Sequence, residues 1–246
     1  MTEDLARAYA FLARGDMYGG RTEPSPVGTA VYLDELPKRL DANYLRVDRG
    51  APAEIEAEAK RLERRMLFLP DTELGERVAP DLAERGWRVN RVTVMAQRRE
   101  PEREADLGLV EEVAEEDLRP ARAELNAGRP WGSPDVMAEL FAGKHLIGRL
   151  MEARFFAIRV GGEVVSYTDL YQDGPEAQVE DVGTLHDHRG RGYAKAVVLA
   201  AIAAARKRGA EFVFLVADHD DWPKELYRRL GFDELGYYVK LVNLDP

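Results

Sequence analysis

A turn rich in glycine and arginine, followed by a helix, is the feature of the sequence that most clearly could do chemistry. Residues 180–197 read EDVGTLHDHRGRGYAKAV, which predicts a strand, a tight turn and a helix start. Unpaired N–H groups at a helix start face one point, and the helix dipole favours negative charge there. Gly190 and Gly192 let the backbone approach an anion closely, and Arg189 and Arg191 add positive charge. The segment therefore predicts a phosphate site, although it is neither a GxGxxG nor a GxxxxGK[ST] motif.

A second motif follows further along the chain, at the end of a predicted short helix. Residues 226–232 read LYRRLGF, and residues 189–194 read RGRGYA. Residues 189–194 resemble the Q/R-x-x-G-x-G/A signature of the GCN5-related N-acetyltransferase (GNAT) superfamily. LYRRLGF resembles that family's second hallmark. The order of predicted strands and helices from 109 to 246 is also similar to the family's order. The resemblance covers the whole second part of the chain, and two motifs at this separation make it specific.

The resemblance implies that acetyl-CoA binds as a co-substrate in an opening between the strand that ends near Thr184 and the strand at 212–217. Its pyrophosphate would lie on the amides of Gly190 through Lys195, and its pantetheine would pair with the backbone of the first strand. A substrate amine would attack the thioester directly, without a covalent enzyme intermediate. The cofactor-binding residues implied are Val182, Gly183, Thr184, Arg189, Gly190, Arg191, Gly192, Tyr193, Ala194, Lys195 and Asp220.

Two protons must move in such a reaction, and the sequence offers candidates for both. Tyr227 matches the family's tyrosine that donates a proton to the leaving thiolate. Glu180 is the first candidate for the general base and Asp181 the second, although a solvated pair of strand carboxylates explains both equally well. Asp220 stands where the family often has an asparagine, and an ionised aspartate can accept a hydrogen bond but not donate one.

The elements that must position these residues form an α/β pattern in two parts. A charged connector at residues 98–106, RREPEREAD, separates a first domain at 1–104 from a second at 105–246. Before its last predicted strand the first domain has Gly86-Trp87, where the second domain has Gly231-Phe232. The first domain lacks the glycine–arginine turn. We therefore predict two related GNAT-like domains, each with a mixed sheet flanked by helices, of which the first is a degenerate copy without a cofactor site.

The sequence pattern also predicts the limits of several elements. The Gly/Pro-rich stretch at 19–28 predicts irregular structure, and a helix beginning at Pro134 is expected to end near Leu140. Gly161-Gly162 between two strands predicts a tight hairpin. The last strand is predicted over 236–242.

Some side chains allow either a packing or a pocket role. Tyr167, Asp169 and Tyr171 alternate on one face of a predicted strand, where they could contact an acceptor, but a half-buried sheet face is the plainer explanation. Trp131 and Phe141 lie in the helical region where the family opens its acceptor site, and core packing is the plainer explanation.

Composition narrows the class of protein. The chain has 246 residues, a formal net charge of −10 and no cysteine. The missing cysteines exclude disulfides, thiolate metal sites and cysteine nucleophiles, and no metal site is predicted. The acidic balance argues against nucleic-acid binding, and no apolar run approaches the roughly 18 residues of a membrane span. A cytoplasmic protein is expected, and a homodimer is left open.

The sequence therefore predicts an N-acetyltransferase whose acceptor is a small-molecule or peptide amine of unknown identity. The first alternative is a non-catalytic acyl-CoA-binding or sensing module. The second is an RNA-binding protein that uses the RGRGY stretch, which the net charge disfavours.

Overall fold

The chain folds into two compact units that are not continuous in sequence. A computed structural model describes residues 2–16, 20–129 and 132–244. The first unit comprises Met1–Val94, Ala217–Asp221 and Leu235–Pro246, and the second comprises Met95–Val216 and Trp222–Glu234. The domain boundary drawn along the sequence near residue 104 stays a prediction, because the units group residues by packing and not by ancestry.

Helices and strands alternate along both parts of the chain. The helices are α1 (Glu3–Asp16), α2 (Pro52–Arg61), α3 (Thr72–Glu84), α4 (Glu115–Asn126), α5 (Pro134–Leu150), α6 (Tyr193–Lys207) and α7 (Pro223–Arg229). The strands are β1 (Arg21–Ser25), β2 (Gly28–Tyr32), β3 (Leu45–Val47), β4 (Met66–Leu69), β5 (Arg88–Gln97), β6 (Glu111–Val113), β7 (Glu152–Val160), β8 (Glu163–Asp173), β9 (Glu176–Thr184), β10 (Phe212–Asp218) and β11 (Phe232–Val242). No helix within the described ranges is long and apolar enough to cross a membrane.

The first unit is built on a mixed sheet with the strand order β1-β2-β3-β4-β11. β1, β2 and β3 pair antiparallel, whereas β3 runs parallel to β4 across the connection made by α2. β11 pairs antiparallel with β4 through Val239–Val242. Its core holds apolar side chains from α2, α3 and these strands, including Leu67, Leu82, Val239 and Leu241.

The second unit has the strand order β10-β9-β8-β7-β6. Strands β6 to β9 pair antiparallel, and β10 runs parallel to β9 with α6 as the crossover. The parallel register joins Phe212–Phe214 to Glu176–Gln178, and within the described part of the chain β9 and β10 pair at these residues alone. The later half of β9 is therefore free of a strand neighbour on that side.

The predicted α/β class, with a mixed sheet flanked by helices, is confirmed. The hairpin at Gly161-Gly162 is also confirmed, since both residues have positive φ angles, 62° and 90°, between β7 and β8.

Three boundary predictions were wrong. The stretch at 19–28 contains strand β1, which the prediction missed because four of its five residues are exposed and it includes Pro24. A proline strand is tolerated at a sheet edge, where β1 lies. Helix α5 continues to Leu150 instead of ending near Leu140, because the burial of side chains such as Ile147 stabilises its last turns. Strand β11 begins at Phe232, before the glycine that marked its predicted start.

Candidate functional site

The glycine–arginine turn leads into α6 as the sequence predicts. Gly190 and Gly192 adopt φ angles of 75° and 80°, in the left-handed region that favours glycine. Gly192 is the N-cap of α6, and the first helical bond runs from the amide of Ala196 to the Gly192 carbonyl at 3.1 Å. The amides of the N-cap and of the next three residues therefore have no partner within the helix. Gly192 has no side chain to cap them, so this helix start suits an anion.

The space in front of the turn is open. A Cβ atom placed on Gly190 or Gly192 would meet no atom within 4 Å, so a phosphate could approach the backbone here. At the base of the turn, the Nδ1 atom of His188 is buried without a hydrogen-bond partner. Unpaired amides, open space and an unsatisfied imidazole nitrogen together fit a diphosphate such as that of coenzyme A.

Three cationic side chains surround the turn, and each is tied to a backbone carbonyl. Arg189 Nε donates to the Thr184 carbonyl at 3.2 Å, and Arg191 Nη2 donates to the Asp187 carbonyl at 3.3 Å. Lys195 Nζ donates to the Glu104 carbonyl at 2.7 Å. Among the residues that the structure describes, no carboxylate forms an ion pair with these three cations, so the field at the helix start stays positive.

Strand β9, which precedes the turn, carries a bulge in its second half. Its register with β8 joins Asp169 to Glu180 and Tyr167 to Gly183, so Thr168 alone lies opposite two residues, Asp181 and Val182. Two residues opposite one is the pattern of a β-bulge, which releases backbone groups from the ladder.

Gly183 follows the bulge, and a neighbouring aromatic ring leaves no room for a side chain at this position. A Cβ atom at Gly183 would lie 2.4 Å from the ring of Tyr167, which is 2% exposed and packs directly over this backbone. Its carbonyl accepts from Ser166 Oγ at 2.9 Å, and the same hydroxyl lies 2.9 Å from Thr184 Oγ1. The backbone after the bulge is therefore rigidly supported from the β8 side.

Tyr227 and Glu180, the predicted acid and base, lie on α7 and β9 of the second unit. Tyr227 is buried on α7, with its ring edge toward Phe232 at a centroid distance of 6.1 Å. Burial raises the pKa of the Tyr227 phenol, and the nearby charge of Glu180 raises it further. Glu180 is half-buried and accepts from Gln178 Nε2 at 2.6 Å. A buried phenol beside a carboxylate can hold and move a proton, and it stays protonated at neutral pH.

A buried ion network lies behind the bulge, and sequence reasoning missed it. Asp169 has no exposed surface, and its carboxylate is paired with Arg122 on one oxygen and with Lys144 Nζ, at 2.7 Å, on the other. Tyr171 also donates to Asp169, at 2.6 Å. Asp181 Oδ2 lies 2.9 Å from Arg122 Nε and 3.2 Å from Lys144 Nζ. Tyr167, Asp169 and Tyr171 are thus part of the buried interior, in agreement with the packing interpretation.

A signal for this network was present in the sequence. Leu118, Ala121, Arg122 and Leu125 follow helical spacing, which puts a guanidinium on the apolar face of α4. Such a charge must be paired if the helix packs as its pattern demands. Lys144 holds the same kind of position on α5, among buried residues that include Met137 and Ile147.

One group of donor atoms has metal-like spacing but contains its own cation. Ligand atoms of Glu115, Glu116 and His145 lie within 4.8 Å of one another. Arg119 Nη2 lies 2.7 Å from Glu115 Oε2 and 2.9 Å from His145 Nε2. The group is an ion-pair cluster around a guanidinium.

Three further residues that the sequence singled out have the following surroundings. Asp220 belongs to the first unit, where its amide donates to the Asp218 carboxylate at 3.0 Å. Trp131 lies outside the described residues. Phe141 is half-buried on α5, with the guanidinium of Arg119 5.4 Å from its ring centre.

Comparison with known proteins identifies the family of the second part. Residues 118–232 match the model of the Acetyltransferase (GNAT) family. This range contains the glycine–arginine turn, the bulged strand and Tyr227, and its domain is therefore a GNAT domain, as the two sequence motifs predict. The family and fold indicate an acyltransferase.

Solved structures show the same fold over more of the chain. A GCN5-related N-acetyltransferase from Kribbella flavida is 21% identical, covers 100% of this chain and 97% of its own, and has a TM-score of 0.60. A conserved protein of unknown function from Staphylococcus epidermidis ATCC 12228 is 17% identical over 92% of this chain and 95% of its own, with a TM-score of 0.66. A tandem GNAT protein from the clavulanic acid biosynthesis pathway is 16% identical over 82% of this chain and 75% of its own, with a TM-score of 0.52. No curated protein matches the chain.

Proposed function

We propose that the chain is an N-acetyltransferase that moves an acetyl group from acetyl-CoA to a primary amine by direct attack. The observation that carries the proposal is the start of α6. Its unpaired amides, two left-handed glycines and nearby cations form an anion site at the end of a bulged strand. Bound acetyl-CoA would supply an acyl group activated as a thioester.

In this proposal the turn and β9 divide the binding of the co-substrate. The amides from Gly190 to Lys195 hold the pyrophosphate, with Arg189 and Arg191 adding charge. The backbone of Val182, Gly183 and Thr184, which has no strand neighbour on the β10 side past Gln178, accepts the pantetheine. The pantetheine thereby takes the place of the strand partner that β9 lacks beside Val182, Gly183 and Thr184.

Tyr227 is proposed as the general acid that protonates the leaving thiolate. Its raised pKa keeps the phenol protonated until it is needed, but it also makes the phenol a weaker acid. Part of that shift comes from the charge of Glu180. When Glu180 takes the proton of the attacking amine, its charge disappears and the pKa of Tyr227 falls. The base step would therefore prepare the acid step.

We also propose that the first part of the chain is a degenerate copy of the same fold. In each part, antiparallel strands lead into a parallel β–α–β unit, followed by a helix, a left-handed glycine and a further strand. Gly86 and Gly231 both have φ angles of 90° at that last corner. The likeness to a tandem GNAT protein supports the same organisation.

Titration calorimetry with coenzyme A tests the anion site. Gly192→Ala places a Cβ where the phosphate would lie, so affinity should fall about tenfold or more. The matched control is Gly209→Ala at the other end of α6, because Gly209 also has a positive φ (84°) and no atom within 4 Å of its Cβ position. Strain alone would affect the two variants equally.

Turnover is tested by thiol release from acetyl-CoA in the presence of amine libraries. Release that depends on an added amine supports the transferase. Absence of heat with coenzyme A overturns the proposal, and binding without turnover for any amine would indicate a sensing module in its place.

A further inference from the structure

Asp181 stands in a backbone conformation that residues with a Cβ atom rarely adopt, although aspartate tolerates it better than most. Its φ angle is 52°, in the left-handed region, and it is one of two residues in the β9 bulge opposite Thr168. A residue with a Cβ atom loses about 1–2 kcal/mol in this conformation relative to an extended one. Something in the fold must hold Asp181 there.

The side chain of Asp181 supplies the hold. Its Oδ2 atom lies 2.9 Å from Arg122 Nε and 3.2 Å from Lys144 Nζ. Arg122 has no exposed side-chain surface and Lys144 is 10% exposed, whereas Asp181 is 30% exposed. The buried cations are therefore fixed, and the carboxylate at the mouth of the network is pulled toward them.

The two cations are themselves locked by Asp169 and by the aromatic rings around them. Asp169 pairs with both, and Arg122 also pairs with Glu115 at 2.9 Å. Tyr167, the ring that covers Gly183, has its centre 5.3 Å from the guanidinium of Arg122. One network thus contacts both residues that flank Val182 in the bulge region.

We infer that Asp181 is a positioning residue, whose ion pairs with Arg122 and Lys144 hold the β9 bulge that presents the amides of Val182 and Gly183 to the acyl group. The inference rests on the proposed function for the identity of the group presented. These ion pairs of Asp181 with Arg122 and Lys144, which we call the clamp, are a property of the protein without ligand.

This role differs from that of a general base. Burial opposes the charge of Asp181, but the charges of Lys144 and Arg122 outweigh it and lower the pKa of the carboxyl. A carboxylate held in its ionised form by two cations takes up a proton poorly at neutral pH. Its charge is committed to the clamp.

Hydrogen exchange of backbone amides in the ligand-free protein tests the clamp. Asp181→Asn keeps the shape and the tolerance for left-handed backbone but removes the charge. We expect the amides of 180–184 to exchange about tenfold faster or more, with no change in β7. Glu163→Gln, an exposed carboxylate-to-amide change at the start of the neighbouring strand β8, should leave β9 unchanged. Unchanged exchange in Asp181→Asn would overturn the inference.

Lys144→Met removes one of the two cations that pair with Asp181. It should accelerate the same β9 amides, and the two effects should be less than additive in free energy in the double variant, because both substitutions remove the Asp181–Lys144 pair. Additive effects in the double variant would contradict a shared clamp. If Lys144→Met does not fold, which its melting curve shows, the half-exposed Asp181→Asn decides alone.

Kinetics separate positioning from base catalysis. In Asp181→Asn we expect kcat to fall about tenfold with an unchanged acidic limb of the pH profile. Loss of that limb would make Asp181 the base and overturn the inference. If the wild-type protein binds no coenzyme A, the proposed function fails, while the exchange experiment still decides whether the clamp exists.

Discussion

Two helix starts in this chain have the same architecture and opposite chemistry. α2 in the first unit and α6 in the second each connect two parallel strands, β3 to β4 and β9 to β10. Each follows a glycine with positive φ, at Gly50 (115°) and Gly192 (80°). Both are therefore β–α turns of the kind that binds anions.

The residues at the third helical position decide what each turn can bind. In α2 this residue is Glu54, whose carboxylate accepts from the Ala51 amide at 2.9 Å. Pro52 removes another N–H donor from the same turn. In α6 the corresponding residue is Lys195, and the amides are left open. The first unit supplies its own negative charge, whereas the second unit leaves that place for a ligand.

The comparison extends to the helix–strand corner that follows. Tyr227 stands four residues before Gly231, and Leu82 stands four residues before Gly86. Leu82 is fully buried in the core of the first unit. At this corner the first unit has a side chain that can only pack where the second unit has a phenol that can move a proton, which agrees with the proposal that only the second part is catalytic.

The largest expected effect is on turnover. Tyr227→Phe should lower kcat about 10²- to 10⁴-fold if the phenol is the general acid, with little change in coenzyme A affinity. Tyr9→Phe is the control in the first unit, because burial also raises the pKa of Tyr9, to about 12. Steady-state kinetics of both variants make the measurement. Equal, small losses would remove the distinction between the two units.

A transplanted charge tests the comparison of the helix starts. Lys195→Glu gives α6 the acidic cap of α2, so coenzyme A affinity should fall about tenfold or more while thermal stability is kept, since an acid at a helix start is favourable. Lys195→Gln separates loss of the positive charge from gain of the negative one and should have a smaller effect. Calorimetry and melting curves give both quantities. Undiminished affinity in Lys195→Glu would show that the ligand does not use this helix start.

The two corner glycines should differ in stability. Gly86 and Gly231 share a φ of 90°, so alanine costs each about 1 kcal/mol in backbone strain. A Cβ at Gly231 would also lie 1.9 Å from the Arg99 carbonyl oxygen, whereas at Gly86 it meets nothing within 4 Å. Gly231→Ala should therefore lose about 1–3 kcal/mol more than Gly86→Ala. Denaturant unfolding of the pair measures this, and equal losses would mean that the Arg99 segment moves away freely.

The smallest expected effect is on the free energy of unfolding at low pH. The folded pKa of Asp181 is lowered, so its ion pairs stabilise the protein above the unfolded pKa near 4 and are lost as pH falls through the folded value. The pKa of Glu76 in the first unit is lowered by Arg91 in the same direction, but this pair is more exposed. Unfolding free energy should fall below about pH 4, and Asp181→Asn should flatten that fall by about 1 kcal/mol, more than Glu76→Gln does. A steeper fall in Asp181→Asn would reverse the assigned sign.

Most of the fold could be predicted because its elements carry local signals. Periodicity and turn residues gave α6 its limits, with Tyr193 after the left-handed Gly192 and Gly209 after its basic last turn. The failures have physical reasons. β1 buries almost nothing of its own, and the end of α5 depends on partners such as Asp169 that no local pattern reveals.

The candidate site could be predicted only in part. The anion turn and Tyr227 belong to compact motifs, so residue order alone identified them. The clamp on Asp181 joins Arg122 and Lys144 on two helices to a strand residue far along the chain. Its geometry depends on tertiary packing and on one left-handed backbone angle, neither of which residue type determines.

The pairing of β11 with β4 has a consequence for how the protein is made. Val239 and Leu241 complete the interior of a unit whose other apolar residues come mostly from the opening third of the chain. Gly75 on α3 must lack a side chain because Val239 comes so close, 2.6 Å from where its Cβ would be. A nascent chain emerging from the ribosome would hold an unfinished N-terminal half until strand β11 has been synthesised. We expect chaperones to bind that half of the chain during this interval.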